Sequence, residues 1–499
     1  MKVENTMQFI STRNNYKKVD FATAVVQGMV PVGGLFVPET FPHFDVETML
    51  GKPYQAIAEM IFSAFYSDFS KETISDMVEK AYTRPFTSTQ VVPLKKVDTD
   101  YVLELFHGPT AAFKDVALQL LPHTMVNAYH KLGMQNEIVV LVATSGDTGK
   151  AALEGFLDVP HTHVICFYPK NGVSEMQALQ MNTTKGKNTH VVGVDGNFDD
   201  CQNAVKELFG DDCFKQSMEE KGIVFSSANS INIGRLLPQI VYYFSSYAQL
   251  VKEHAISLGD SVNFCVPTGN FGNILAGYYA KKMGLPVHKF LCASNKNNVL
   301  TDFFQSGTYV KNRAFYKTTS PSMDILISSN LERYLFDKVD GNGETIATFM
   351  QELAKDGTFT IDEGTKALID EELYAGCASD EEVAQTISDV YQQTGYVLDP
   401  HTAVGYAVTQ NYKKKTHDDH LMIIAGTASP LKFSKTVANA ITQKEESERN
   451  GQEFLEHVVN LHHEGLCAVK KEPIRHTATC AVAEIRETIQ GICSTLYKG

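Results

Sequence analysis

"EIVVLVATSGDTGKAALEGFL", residues 137–157, decides the fold. A short, continuous apolar run ends at Thr144, a turn rich in glycine and hydroxyl residues follows, and "KAALEGFL" then takes up a helical pattern. A strand that is apolar throughout is covered on both faces, which is the condition of a strand inside a parallel sheet. The same rhythm extends outward on both sides of it. "YVLELF" (101–106) precedes it, and "HVICFYP" (163–169), "THVVGVDG" (189–196), "SVNFCVP" (261–267), "HKFLCAS" (288–294) and "HLMIIAGTA" (420–428) follow, separated by helical patterns. The expected fold class is α/β, with open, mostly parallel sheets and helices on both faces.

Residues 1–95 lack this rhythm. A Gly-Pro-rich piece, "GMVPVGGLFVPETFP", leads into amphipathic stretches around "YQAIAEMIFSAFYSDF", so a turn-rich start followed by helices is expected. Three stretches result: an N-terminal extension domain over 1–95, an α/β domain over 96–255, and a second α/β part with a C-terminal extension over 256–499. Two segments, 337–357 and 442–465, read as insertions or lids of little functional weight.

With 499 residues, 43% hydrophobic and 20% charged, the chain can bury large cores. A formal charge of -14 disfavours nucleic acid or an anionic membrane as partner, so an anionic substrate requires a locally positive pocket. The start has no continuous apolar segment and no run of about 18 apolar residues occurs anywhere, which together give a cytoplasmic expectation. The nine cysteines form no CxxC pair and fit a reducing compartment. HExxH and GxSxG are absent, and the pairs His161/His163 and His462/His463 lack a third ligand at metal spacing, so no metal is expected.

Ligands of open parallel sheets bind beyond the carboxyl ends of the strands, which directs attention to four loops. "FHGPTAAFKD" delivers Lys114 into apolar company. A lysine so placed is paired, has a depressed pKa, or has been converted to an uncharged imine. "TSGDTG" (144–149) is either an anion cradle at a helix N-terminus or a plain N-cap made by Asp147 or Thr148. "PTGNFGN" (267–273) lets the backbone approach a ligand at Gly269 and Gly272, and Asn270 and Asn273 add donors. "GTASP" (426–430) is a turn, or else places the hydroxyls of Thr427 and Ser429 beside a heterocyclic nitrogen. A sequestered lysine, two glycine-rich cradles and a strand-end hydroxyl together suit pyridoxal phosphate, which needs an imine-forming amine, a phosphate cup and a ring-nitrogen partner.

At this point the chain resembles the threonine synthases, pyridoxal-phosphate lyases of fold type II, the tryptophan-synthase-β type. The likeness runs almost end to end through "FISTR", "GLFVPE", "HGPTAAFKD", "ATSGDTGKAA", "YPKNGVSEMQALQM", "VDGNFDDCQ", "NSINIGRLLPQ", "VPTGNFGNILAGYYAKKMGLP", "SPSMDIL", "DPHTAVGYA" and "AGTASPLKF". The resemblance implies that Lys114 is the Schiff-base lysine. It implies that Gly269, Asn270, Phe271, Gly272 and Asn273 cup the cofactor phosphate and that Thr427 meets the pyridine nitrogen. It implies that Thr144, Ser145, Gly146, Asp147 and Thr148 hold the substrate's carboxylate side, with Asn229, Asn232 and Arg235 as candidates for the substrate phosphate. The activity implied is conversion of O-phospho-L-homoserine and water to L-threonine and phosphate, by a monomer or small homo-oligomer acting on a small molecule. The nearest alternative is a threonine-synthase-like phospholyase releasing 2-oxobutyrate, ammonia and phosphate. A dehydratase of the same fold type and a non-catalytic binding protein stand further off.

Overall fold

The computed structural model describes residues 6–144 and 146–496, with the side chain of Asp199 set aside. Every apolar run named above forms a strand, but the strands divide between two sheets. The larger has six strands in the order Leu373–Cys377, Val287–Ser294, Val262–Pro267, Met422–Gly426, Asp100–Glu104, Leu94–Val97. All neighbours are parallel except the last pair, a hairpin. The smaller has five parallel strands in the order Ala478–Ala481, Thr189–Asp195, Thr162–Pro169, Glu137–Ala143, Ile223–Ser226. Central strands such as Met422–Gly426 and Val262–Pro267 are buried along their whole length, as two covered faces require.

The contiguous division at 95 and 255 is therefore corrected. Asp100–Glu104 pairs with Met422–Gly426 and so belongs to the larger sheet, whereas Ala478–Ala481 returns to edge the smaller one. Parallel strands need crossovers, and a chain that fills two sheets by crossovers need not fill them in order.

The first 95 residues hold the helices Tyr54–Phe65, packed on the helix Ile240–Lys252, and Lys71–Tyr82, packed on Tyr54–Phe65 and on the helix Leu121–Lys131. Phe21 stacks on Tyr66 at 3.8 Å, and their cluster is continuous with the core of the larger sheet. This region also braces what becomes the site. Thr12 Oγ1 donates to Glu332 at 2.6 Å, and the buried Arg333 donates to the carbonyls of Phe36 and Ile231 at 2.8 and 2.6 Å.

Candidate active site

Lys114 opens the helix Lys114–Leu118, directly after the loop that leaves strand Asp100–Glu104. The loop is shaped by Asp115, whose carboxylate accepts from Thr110 N at 2.8 Å and Thr110 Oγ1 at 2.7 Å. It is fastened to the "GTASP" loop by two backbone bonds, Phe113 N to Thr427 O at 2.9 Å and Ser429 N to Ala111 O at 3.0 Å. Lys114 Nζ lies 3.9 Å from Asp147 Oδ2 and 3.5 Å from Ser322 Oγ, and its side chain is only 13% exposed. Burial lowers its pKa from 10.5 to about 8, with Asp147 opposing the shift and Lys432 and Arg235 adding to it. Of the three states open to such a lysine, the protein alone supplies two: it is paired and its basicity is depressed.

Asp147 is the hub of the surrounding polar network. Its carboxylate takes an ion pair from the buried Lys432 at 2.8 Å and hydrogen bonds from Gln177 Nε2 and Ser322 Oγ, both at 3.1 Å. Burial alone would push this carboxyl up, but Lys432 and Lys114 hold it well below the usual range. Lys432 also donates to Thr110 O at 3.0 Å, so one ammonium ties the "TSGDTG" turn to the lysine loop. Ser322 is fixed in turn: its N–H donates to His401 Nε2 at 3.2 Å. That contact leaves the His401 proton on Nδ1, where it donates to Asp399 Oδ2 at 2.8 Å.

The "TSGDTG" turn resolves differently from the N-cap expected of Asp147 or Thr148. Thr144 Oγ1 accepts from Gly146 N at 2.9 Å and Gly149 N at 3.0 Å, and so closes the start of helix Asp147–Gly155 itself. A Cβ on Gly149 would meet Thr144 Cγ2 at 2.4 Å, which explains a glycine inside a helix. The amides of Asp147 and Thr148 donate to no described residue and face the helix's positive end. Ser145 lies outside the described residues.

In "PTGNFGN", Phe271 adopts φ 61° and helix Gly272–Lys282 follows. The amides of Gly269, Asn270, Phe271, Gly272 and Asn273 all lack a partner among the described residues, a run of five donors in one turn. A Cβ on Gly269 would come within 2.9 Å of Ser322 O, so glycine lets the 320–330 segment lie across the turn. That segment holds the turn's carbonyls: Ser328 Oγ donates to Gly269 O at 2.7 Å and Asn330 Nδ2 to Asn270 O at 2.9 Å. The Asn273 Oδ1 accepts from the Tyr242 and Tyr243 hydroxyls at 2.6 and 2.7 Å, and its buried Nδ2 has no partner among the described residues, so a side-chain donor stands free beside the backbone one. Thr427 is buried, and its hydroxyl makes no hydrogen bond with a described residue.

The three residues of "NSINIGR" separate. Arg235 is 3% exposed, spends Nη1 on Ala228 O, leaves Nε without a partner, and has no carboxylate in ion-pair range among the described residues. A buried cation without an anion is a site for one. Asn229 is exposed. Asn232 is buried in a structural setting: its Oδ1 caps helix Ile233–Leu236 at Gly234 N and its Nδ2 donates to Val25 O at 3.0 Å, which leaves one Nδ2 hydrogen over.

These groups fit pyridoxal phosphate. Five free amides suit a phosphate, Thr427 offers a hydroxyl for a ring nitrogen, and Lys114 is the one lysine of depressed basicity beside both loops. Four contributors escaped the sequence reading: Gln177, Ser322, His401 and Lys432. Each lies in a motif quoted above, and Lys432 stands three residues after Ser429. The 442–465 segment, expected to be an insertion or lid, seats His463 against the lysine loop, Nε2 lying 3.1 Å from Phe106 O.

Three family descriptions match the chain: "Threonine synthase N terminus" over 8–82, "Pyridoxal-phosphate dependent enzyme" over 83–426 and "Threonine synthase, C-terminal" over 402–486. Threonine synthase-like 1 of Homo sapiens is 39% identical across 89% of this chain, which spans 62% of that relative's length. Threonine synthase of Pseudomonas aeruginosa is 38% identical across 87% of this chain and 90% of its own. The solved structure of PLP-bound threonine synthase from Brucella melitensis is similar with a TM-score of 0.88 at 35% identity, covering 99% of this chain and 100% of that one. The yeast threonine synthase structure gives 0.87 at 34%, covering 98% and 99%.

Proposed function

The chain belongs to the threonine synthase family of pyridoxal-phosphate-dependent enzymes, and on that premise we propose that it converts O-phospho-L-homoserine and water to L-threonine and phosphate, the last step of threonine biosynthesis. The observation that carries the reading is the position of Lys114 among separate anion-receiving groups. The five amides of 269–273 suit one phosphate, and the unpaired Arg235 together with the amides of Asp147 and Thr148 suits the two charged ends of a second ligand.

Lys114, the 269–273 amides and Thr427 would hold the cofactor, which when bound supplies an electron sink for negative charge on substrate carbons. The rest of the work falls to the chain. With a pKa of about 8, Lys114 Nζ carries an appreciable neutral fraction near neutral pH and can take a proton from substrate Cα and return it at an adjacent carbon. Asp147 and Ser322 keep that amine within reach, and Lys432 holds Asp147 in place. Arg235 draws the substrate phosphate, with Asn229 at the rim. Burial of these groups excludes bulk water, leaving the water that adds at Cβ as an admitted reactant.

We place this activity in the cytoplasm, in a monomer or small homo-oligomer. Among the described residues no helix is long and apolar enough to cross a membrane. A second reading has support of its own, since threonine synthase-like 1 relatives are as similar as the threonine synthases: a phospholyase yielding 2-oxobutyrate, ammonia and phosphate. Both readings require Lys114. Lys114→Ala is expected to lose phosphate release from O-phosphohomoserine by at least 1,000-fold while keeping the wild-type circular dichroism, and a variant retaining a tenth of the activity would refute the role given to this lysine.

A further inference from the structure

We propose that Tyr242 and Tyr243 are positioning residues for the cofactor: together they fix the side-chain amide of Asn273 so that its Nδ2 becomes a sixth donor to the phosphate received by the 269–273 amides. The inference rests on the reading of that turn as the phosphate cup and gives a task to two residues outside it. Asn273 is the second residue of helix Gly272–Lys282, at the end of the run of free amides, and Tyr242 and Tyr243 stand in the first turn of helix Ile240–Lys252, packed beside it.

Both hydroxyls end on one atom, Asn273 Oδ1, at 2.6 and 2.7 Å. These lengths belong to O–H···O bonds and are short for N–H···O, so the amide turns its oxygen, not its nitrogen, to the tyrosines. Neighbouring positions on a helix diverge by about 100°, so the meeting of two successive side chains on one atom is not a by-product of helix packing. Each is held where it is. Gln239 Nε2 donates to Arg235 O at 2.8 Å, which leaves Gln239 Oε1 facing the Tyr242 hydroxyl at 3.1 Å. The Tyr243 hydroxyl also reaches Asn273 O at 2.9 Å, and its ring meets that of Phe264 edge to face with centroids 4.8 Å apart. A Cβ on Gly277 would stand 2.6 Å from Tyr243 Cε1, so the glycine one turn beyond Asn273 makes room for the ring. Burial holds both phenols well above the usual pKa of 10, so they keep their protons and act as donors.

With Oδ1 taken, Nδ2 is what the side chain has left to offer. It is buried without a partner among the described residues, on a residue only 7% exposed. A buried N–H without an acceptor is destabilising, and five backbone N–H groups of the same turn stand free beside it. A ligand that meets donors on every side and no acceptor is an anion. Were the amide turned over, an acceptor oxygen would face that anion instead, so the two hydroxyls decide between attraction and repulsion. Lys114 and Thr427 belong to other loops, which confines the contribution to the phosphate end of the cofactor.

The test is equilibrium dialysis of the full-length protein against graded pyridoxal phosphate and, separately, against pyridoxal, which lacks the phosphate. The ratio of the two affinities isolates the phosphate contribution from any general loosening of the site. Loss of one charge-assisted hydrogen bond is expected to lower that ratio about tenfold in Tyr242→Phe/Tyr243→Phe, with a smaller fall in each single variant. In Asn273→Asp the carboxylate can still accept from both hydroxyls, but it sets a negative charge against the phosphate, and a fall of about a hundredfold is expected. The phosphorus NMR resonance of bound pyridoxal phosphate should also move in the double variant, which keeps both rings. An unchanged ratio in Asn273→Asp, or in the double tyrosine variant (in both single variants, should the double not fold), would overturn the proposal. A wild-type protein that binds pyridoxal as tightly as pyridoxal phosphate would instead overturn the reading of 269–273 as a phosphate cup, and the proposal with it.

Discussion

Asp147 is a buried carboxylate that remains ionised because two ammonium groups face it, and one of those, Lys114, is kept weakly basic by the same burial. The Lys432–Asp147 pair is thus a frame beside the Lys114 amine, since removing either partner would strand a charge in the interior. Lys114 gives this a measurable sign. Its folded pKa of about 8 lies below the ordinary 10.5, so between these values the unfolded chain binds more protons and stability rises with pH. In cofactor-free protein, the stability of wild type minus that of Lys114→Met is expected to rise by about 3 kcal/mol from pH 8 to pH 10.5. Below pH 8 the cost of the buried ammonium is present in full. Urea unfolding of both proteins across this window checks it, and parallel profiles would mean that Lys114 is not desolvated.

At the scale of the element, each loop is set by a side chain that satisfies backbone donors. Thr144 is the clearest, because one hydroxyl takes the amides of Gly146 and Gly149 and leaves those of Asp147 and Thr148 free. Thr144→Val keeps the shape and strands both donors, at a cost of about 1–3 kcal/mol in unfolding free energy. KM for the substrate is expected to rise as the turn loosens, and Thr144→Ser should restore both quantities. Unchanged stability in Thr144→Val would show that the turn is held by other means. Which elements were legible follows the same local physics. The central strands were readable because two covered faces make them apolar throughout. Ile223–Ser226, Leu373–Cys377 and Ala478–Ala481 were missed; each is a sheet edge whose residues are partly exposed, so each lacks a continuous apolar run. The candidate lysine Lys114 and the glycine turns stand out by residue type. Lys432, Ser322 and Gln177 did not, because an ordinary polar residue becomes part of a site only through what the fold sets beside it.

On the scale of the whole molecule, strand pairing is the part that periodicity cannot carry, which is why the strands of the two sheets do not fall into contiguous stretches of chain. The C-terminal segment shows the consequence. It leaves the larger sheet after residue 442, seats His463 on the lysine loop, bonds Asn182 O through the amides of Arg475 and His476, and ends by edging the smaller sheet. Its last helix buries Ile485, Ile489 and Cys493 on the core of that sheet. A chain ending at residue 441 should therefore lose at least about 5 kcal/mol of apolar burial. Calorimetry is expected to show the smaller unit melting well below the larger, and an unchanged melting profile would mean that the segment braces nothing.

The central claim, that this fold couples loss of phosphate to addition of water, is tested most directly by product stoichiometry. Purified protein with pyridoxal phosphate and O-phospho-L-homoserine should release phosphate and L-threonine in equal amounts, with no 2-oxobutyrate. Phosphate matched by 2-oxobutyrate and ammonia, with threonine absent, would contradict it and establish the phospholyase on the same lysine and the same loops.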